Sequence, residues 1–186
     1  MDDPRLRLLD LPHIAPLMTL VRSLRDRGLR VPNIDPYDGG TGARAMFLSE
    51  TPGPKAVGSF FVSRDNPDPS ARNITTALDQ AGFARDDVFL WNVVPQCVAT
   101  EARNRNATAR EIRNAIPHTQ AFIAELRRLR VIIFCGRQAQ RAIPYLVIPE
   151  HVTALSTFHT GALAYNRREL RQHINQTFRE ARRLID

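Results

Sequence analysis

The chain has 186 residues and no run of eighteen apolar residues, which fits one domain with a sizeable core and excludes an ordinary membrane-spanning helix. Cys97 and Cys135 are too few for a disulfide framework, a four-cysteine metal site or an iron–sulfur cluster. The net charge is +7, and Lys55 is the single lysine among the cations. Such an arginine-borne field favours a polyanionic partner, nucleic acid first. The alternative is that the arginines only solvate helices.

In chain order, MDDPRLRLLDLPH has no basic segment leading into an apolar one, so no secretory signal is read. With reduced cysteines this makes the cytoplasm the expected compartment. Ile14 to Arg27 places Ile14, Leu17, Leu20, Val21 and Leu24 near helical spacing. Pro32 to Gly42 reads as a loop. Arg44 to Leu48 is a short apolar run, read as a strand, and Glu50-Thr51-Pro52-Gly53 ends it, because Pro and Gly punctuate ladders and allow close backbone approach. Phe60 and Phe61 follow; they alternate, so one points into the core and the other is available to stack on a planar ligand.

Asn66 to Ser70 (NPDPS) reads as a second loop, and Ala71 to Ala81 as an amphipathic helix closed by Gly82. Val88 to Val94 and Val131 to Cys135 lack polar alternation, as strands covered on both faces do. Between them a helix is predicted from Thr108 to about Arg128, with Pro117 expected to kink or restart it. The Arg103 to Arg113 segment is either a grip on a polyanion or a solvated loop and helix. Gln138 to Tyr145 is a short helix interrupted by Pro144, Val152 to Ser156 a weaker strand, and Arg167 to Leu184 a helix with Leu170, Ile174, Phe178 and Ala181 on one stripe. Strand and helix alternate. The expected fold is therefore α/β, a single-domain three-layer α/β/α sandwich over residues 1–186 with a central, mostly parallel four-stranded sheet. Functional loops then sit at the carboxyl ends of the strands.

Those ends collect Glu50 to Gly53, Asn92 in the otherwise apolar VFLWNVVPQ, the turn Cys135-Gly136-Arg137-Gln138, and His159 ahead of a small, flexible turn. Asn92 needs an explanation, because a buried amide left without partners costs roughly 1–3 kcal/mol. It either ties down a neighbouring loop or offers its donor and acceptor to the edge of a pyrimidine or amide. His159 by itself is either a structural or a catalytic histidine.

Taken together, the four strand ends resemble the uracil-DNA glycosylase superfamily. "LSETPG" is similar to the family's G-E-A-P-G form of the first motif, "FFVS" to its Phe-Val-Gly stretch, "LWNVVP" to the strand carrying a base-reading Asn, and "HTGAL" to the final H-P-S-P-L motif. "VIIFCGRQAQRAI" fits the family's strand–Gly–helix element. The resemblance spans Arg44 to Arg168 and rests on order and spacing. It implies a monofunctional glycosylase that hydrolyses the N-glycosidic bond of uracil in DNA after flipping the nucleotide into a pocket. It assigns Phe61 to stacking, Asn92 and Gly53 to uracil binding, His159 to the departing base, and Glu50 with Thr51 to the water. Leu163 becomes the wedge, and Pro52, Arg137, Arg167 and Arg168 contact DNA. The implied partner is uracil-containing DNA, single- or double-stranded, met by a monomer with no cofactor, metal or membrane.

Two departures stand out. Thr51 replaces the aspartate that positions water in the strongest glycosylases, and Thr160-Gly161 replaces the Pro-Ser pair that stiffens the last motif. Asp35-Pro36-Tyr37 echoes the G-Q-D-P-Y motif of those enzymes, but it precedes the strand and is read as a turn, with folding over the pocket left open. The rival readings are a catalytically weak or inactive binder of uracil or damaged DNA, a glycosylase for hypoxanthine or xanthine, and an unrelated α/β protein for a phosphate ligand. The last lacks any phosphate-binding glycine loop.

Overall fold

A computed structural model describes residues 3–98 and 105–186. A four-stranded sheet is built from β2 (Ala45–Ser49), β4 (Val88–Asn92), β5 (Val131–Cys135) and β6 (Thr153–Thr157), in the order β4-β2-β5-β6 and parallel throughout. A second, two-stranded parallel sheet pairs β1 (Asn33–Ile34) with β3 (Phe61–Val62). The helices are α1 (Ala15–Asp26), α2 (Pro54–Ser59), α3 (Pro69–Ala81), α4 (Ala109–Glu125), α5 (Arg137–Gln140), α6 (Ala162–Tyr165) and α7 (Arg168–Arg183). The fold is the α/β class expected, and the four central strands lie within one or two residues of the predicted runs. No helix among the described residues is long and apolar enough to cross a membrane.

Side chains alternate across a strand, so each strand feeds two cores. Met46, Leu48, Phe89, Trp91, Ile132 and Phe134 pack with α1 and α4, where Trp91 and Phe122 lie 4.6 Å apart. Phe47, Leu90, Ile133 and Cys135 face α3 and α7, where Phe47 meets Phe178 at 4.8 Å and Phe83 at 5.5 Å. Burial pushes the Cys135 thiol up to about 12, so it acts as a small apolar packing group.

The structure decides three local points that the sequence left open or passed over. Pro117 does not restart α4: the helix runs through it, and Pro117 is exposed, so the carbonyl it deprives of a donor lies on the solvent side. Thr108 and Glu111 start that helix with a reciprocal capping box. Pro54, at the first helical position, starts α2 where the sequence suggested only a breaker. The Asp35-Pro36-Tyr37 turn does not fold over the large cavity described below. Asp35 is instead buried, accepting from Arg5 Nη1 (3.3 Å), Arg85 Nη2 (3.1 Å) and the Ser63 hydroxyl.

Beside it Asp38 is 2 % exposed and accepts from Arg85 Nε at 3.0 Å, with Arg64 Nε 3.6 Å away. Loss of hydration outweighs the nearby Arg64 and pushes the Asp38 carboxyl up to about 7 from an ordinary 3.8. The unfolded chain releases this proton near the ordinary value, whereas the folded chain holds it to about 7. Across that window the folded state binds more protons, and this group's contribution to stability falls as pH rises, by at most about 1.4 kcal/mol per pH unit. Asp38→Asn removes the titration. Its unfolding free energy relative to the unsubstituted chain is expected to improve between pH 4.5 and pH 7 in urea denaturation; a difference constant with pH would refute the assignment.

Candidate active site

The strand alternation that builds the cores also builds the site. Phe47 and Ser49, Leu90 and Asn92, and Ile133 and Cys135 lie on the α3 and α7 side of the sheet. At the carboxyl ends that core gives way to a cavity of about 930 Å³. Asn92 is the last residue of β4, paired with Ser49 of β2, and the pairing continues beyond the strands as Val93 N donates to Ser49 O and Val94 N to Glu50 O, each at 2.9 Å. Thr119 Oγ1 donates to Val93 O at 3.0 Å and fixes the segment from below. Asn92 is 4 % exposed, lines the cavity, and its amide makes no hydrogen bond among the described residues. The loop-tying alternative for this residue is therefore not what the structure contains.

His159 follows β6 and lines the same cavity. Gly161 N donates to His159 Nδ1 at 2.9 Å, which makes Nδ1 the acceptor and leaves Nε2 to carry the proton of a neutral ring. The ring is exposed toward the cavity mouth, yet its surroundings remove enough hydration to lower its pKa, against the opposing pull of Asp68. Two glycines make room for it. A Cβ on Gly136, at φ +96°, would stand 3.0 Å from His159 Cβ, and one on Gly161 would stand 2.8 Å from Nδ1. Asn73 Nδ2 donates to Thr160 O at 2.7 Å and ties this loop to α3.

Glu50, Thr51, Pro52 and Gly53 all line the cavity. One carboxylate oxygen of Glu50 accepts from Ala107 N, and burial raises the pKa of this group above its ordinary value while that bond opposes the rise. Arg137, at the start of α5, is an exposed cation on the cavity wall, and Leu163, on α6, is an apolar side chain 91 % exposed at its rim.

Three assignments are not brought to this cavity. Phe61 is fully buried, with the Arg5 guanidinium 4.0 Å from its ring centroid, and has no surface left for a ligand. The cause is local: Phe60 takes the left-handed conformation at the end of α2 (φ 61°) and points outward, 66 % exposed, which turns Phe61 inward. Neither ring lines the cavity; Phe158 does, and it is 39 % exposed. Arg167 and Arg168 are exposed at the start of α7 but stand outside the cavity wall.

The sequence reading missed Phe158, Asn66 and Asp68. Asn66 accepts from Ser59 Oγ (2.7 Å) and donates to Phe61 O (3.0 Å), while Asp68 caps α3 by accepting from Ala71 N (3.0 Å); both line the cavity. The Asn-Pro-Asp-Pro string that looked like a bare loop is the signal that would have found the last two. Among the described residues no group of His, Cys, Asp and Glu is arranged to hold a metal ion.

The fold is a parallel α/β/α sandwich with a cavity at its strand ends, lined by both Asn92 and the neutral imidazole of His159. The family model described as uracil DNA glycosylase superfamily matches residues 36–182, and the chain belongs to that superfamily, a family of DNA glycosylases acting on DNA. No curated protein matches the chain.

His159 is expected to titrate below 6.5 with the proton on Nε2 at neutral pH. Asp68→Asn keeps a capping side chain but removes the charge that favours the imidazolium, so it should lower the His159 pKa further. Imidazole 15N chemical shifts followed through pH decide this; an unchanged titration in the variant refutes the coupling.

Proposed function

We propose that the chain is a monofunctional glycosylase that hydrolyses the N-glycosidic bond of deoxyuridine in DNA, releasing uracil and leaving an abasic site. The observation that carries this is Asn92, a residue 4 % exposed whose amide has no hydrogen-bond partner among the described residues and which lines the cavity that also holds His159. An amide offers a donor and an acceptor side by side, which matches the N3–H and O4 edge of uracil and mismatches cytosine. A site built on such pairing rejects the wrong edge because its own polar groups are left unpaired.

The chemistry follows from the two strand ends. As the C1′–N1 bond breaks, its electron pair leaves with uracil, and negative charge gathers on O2. The His159 Nε2–H donates to that oxygen, a preorganised donor aimed where charge develops. Neutral imidazole suits the task, since a protonated Nδ1 would face the Gly161 N–H and lose the bond that orients the ring. A water held by Thr51 and the Glu50 carboxylate adds its oxygen to C1′, so that the sugar keeps a hydroxyl, and the proton it gives up ends on the departed uracil anion, which leaves as neutral uracil. Phe158, the ring with open surface in the cavity, replaces Phe61 as the stacking surface. Leu163 fills the gap left by the flipped nucleotide, and Arg137 pairs with a flanking phosphate, while Arg167 and Arg168, exposed outside the cavity wall, take phosphates further along the backbone.

One observation favours low activity. Thr51 is no base, and Glu50 is anchored to Ala107 N. Leaving-group stabilisation then carries most of the acceleration.

An oligonucleotide with one uracil, incubated with the protein and treated with alkali, should break at uracil and not at thymine or cytosine. His159→Ala should lower kcat by about 10²–10³-fold with little change in KM, and Asn92→Ala should lose most of the uracil-over-cytosine discrimination. No strand breakage at uracil, with breakage at hypoxanthine or xanthine instead, would transfer the reading to another deaminated base. Tight binding without breakage at any lesion would make the chain a binder.

A further inference from the structure

Arg113 of α4 and Arg141, just beyond α5, line one shallow cleft of about 240 Å³, whose other walls include Ile112, Pro144 and Tyr145. Both arginines are exposed, and neither has a carboxylate within ion-pair distance among the described residues. Arg141 Nη1 donates to Gln138 Oε1 at 2.9 Å, which steadies its guanidinium. Two cations sharing a small cleft repel each other, and no ion pair among the described residues offsets that repulsion. Tyr145 stands 52 % exposed beside them.

That ring is held by its backbone. Tyr145 N donates to Ala142 O at 3.0 Å. Two residues on, the Gln120 amide clamps Val147, with Nε2 donating to Val147 O and Oε1 accepting from Val147 N, each at 2.9 Å. A fixed aromatic face flanked by unpaired guanidiniums is what one nucleotide of a strand uses: base on ring, phosphate on cations. An acidic peptide would use the cations and leave the ring idle. The cleft also adjoins the cavity electrostatically, because the charge on Arg141 is one of those that act on Glu50 in the cavity wall.

We propose that this cleft is a second nucleotide subsite, taking an unpaired nucleotide of the DNA strand that continues from the excised base. It rests on the reading of the main cavity as a DNA site. The strand must be single there, since a base inside a duplex has both faces covered by its neighbours. Tyr145 stacks the base; Arg113 and Arg141 bind its phosphates.

The test is fluorescence anisotropy with single-stranded oligonucleotides carrying a tetrahydrofuran abasic analogue, on the full chain, with the same strand in duplex form alongside. Tyr145→Ala should weaken single-strand binding by about five- to a hundred-fold and leave duplex binding near that of the parent. Arg113→Gln with Arg141→Gln should flatten the slope of log K against log salt by about 1.4, two contacts at about 0.7 each. On a substrate cut back to the nucleotides adjacent to the uracil, Tyr145→Ala should match the parent in kcat and KM. Unchanged single-strand affinity and salt slope in the variants, with the parent still binding, overturn the subsite alone. Equal losses on duplex and single strand overturn the stacked, unpaired nucleotide. A parent that binds neither form overturns the subsite and the main reading together.

Discussion

The site depends on the register of the parallel sheet. Ser49 lies opposite Asn92 and Cys135 opposite Thr157, and the ladder runs on past the strand ends through Val93, Val94 and Gly136, whose N–H groups donate to Ser49 O, Glu50 O and Thr157 O. Side-chain direction has period two, so this register brings Ser49, Asn92 and Cys135 to the same face at the same level. A slip of one residue would turn Asn92 into the core of Trp91 and Phe122, burying an unpaired amide at a cost of roughly 1–3 kcal/mol. The apolar residues that precede Asn92 on both faces are what prevent the slip. The cores therefore set the position of a residue that contributes nothing to them.

The second part of the site is held differently. His159 sits on a loop with a glycine at each flank, and its orientation comes from one backbone N–H, from the tie between Asn73 and Thr160, and from the space left by Gly136 and Gly161. Small residues were expected to loosen this loop. Instead they admit the ring: either Cβ would crowd it. Leu163 is presented by α6, a single turn anchored by the buried Tyr165. Leu163 is 91 % exposed on that turn, and fixing a leucine side chain costs little rotamer freedom.

The central strands were legible because each is a run of apolar residues short enough to be a doubly covered strand, and Asn92 was legible because it interrupts one. The longer helices declared themselves by spacing, whereas the short α2 and α6 did not. What was not legible depends on contacts distant in sequence or on one backbone angle. Phe61 and Arg5 are fifty-six positions apart, and nothing near "FFVS" announces that a guanidinium covers the second ring. The left-handed angle at Phe60 decides which ring faces outward, and no propensity assigns it to a bulky residue. The β1–β3 pair, two residues long on each side, is too short for any periodicity. Phe158 sat beside the histidine that drew attention and was passed over.

Asp35-Pro36-Tyr37 shows why a string of residues is a weaker guide than its surroundings. In the motif it echoes, the aspartate faces a pocket and positions water. Here the Asp35 carboxylate is saturated by Arg5, Arg85, Ser63 and the Tyr37 N–H (3.0 Å), with no exposed surface, and it holds the segment before β2 to the turn after β3. A carboxylate whose lone pairs are all occupied is neither a base nor a water ligand, whatever its neighbours in sequence. The same accounting sorts the arginines. Arg5, Arg44, Arg64 and Arg85 lie against internal carboxylates, so they stiffen the fold and add little to the external field. Arg137 at the cavity wall and Arg113 and Arg141 at the cleft have no such partner among the described residues. The net charge of the sequence matters for a polyanion through arginines of this second kind.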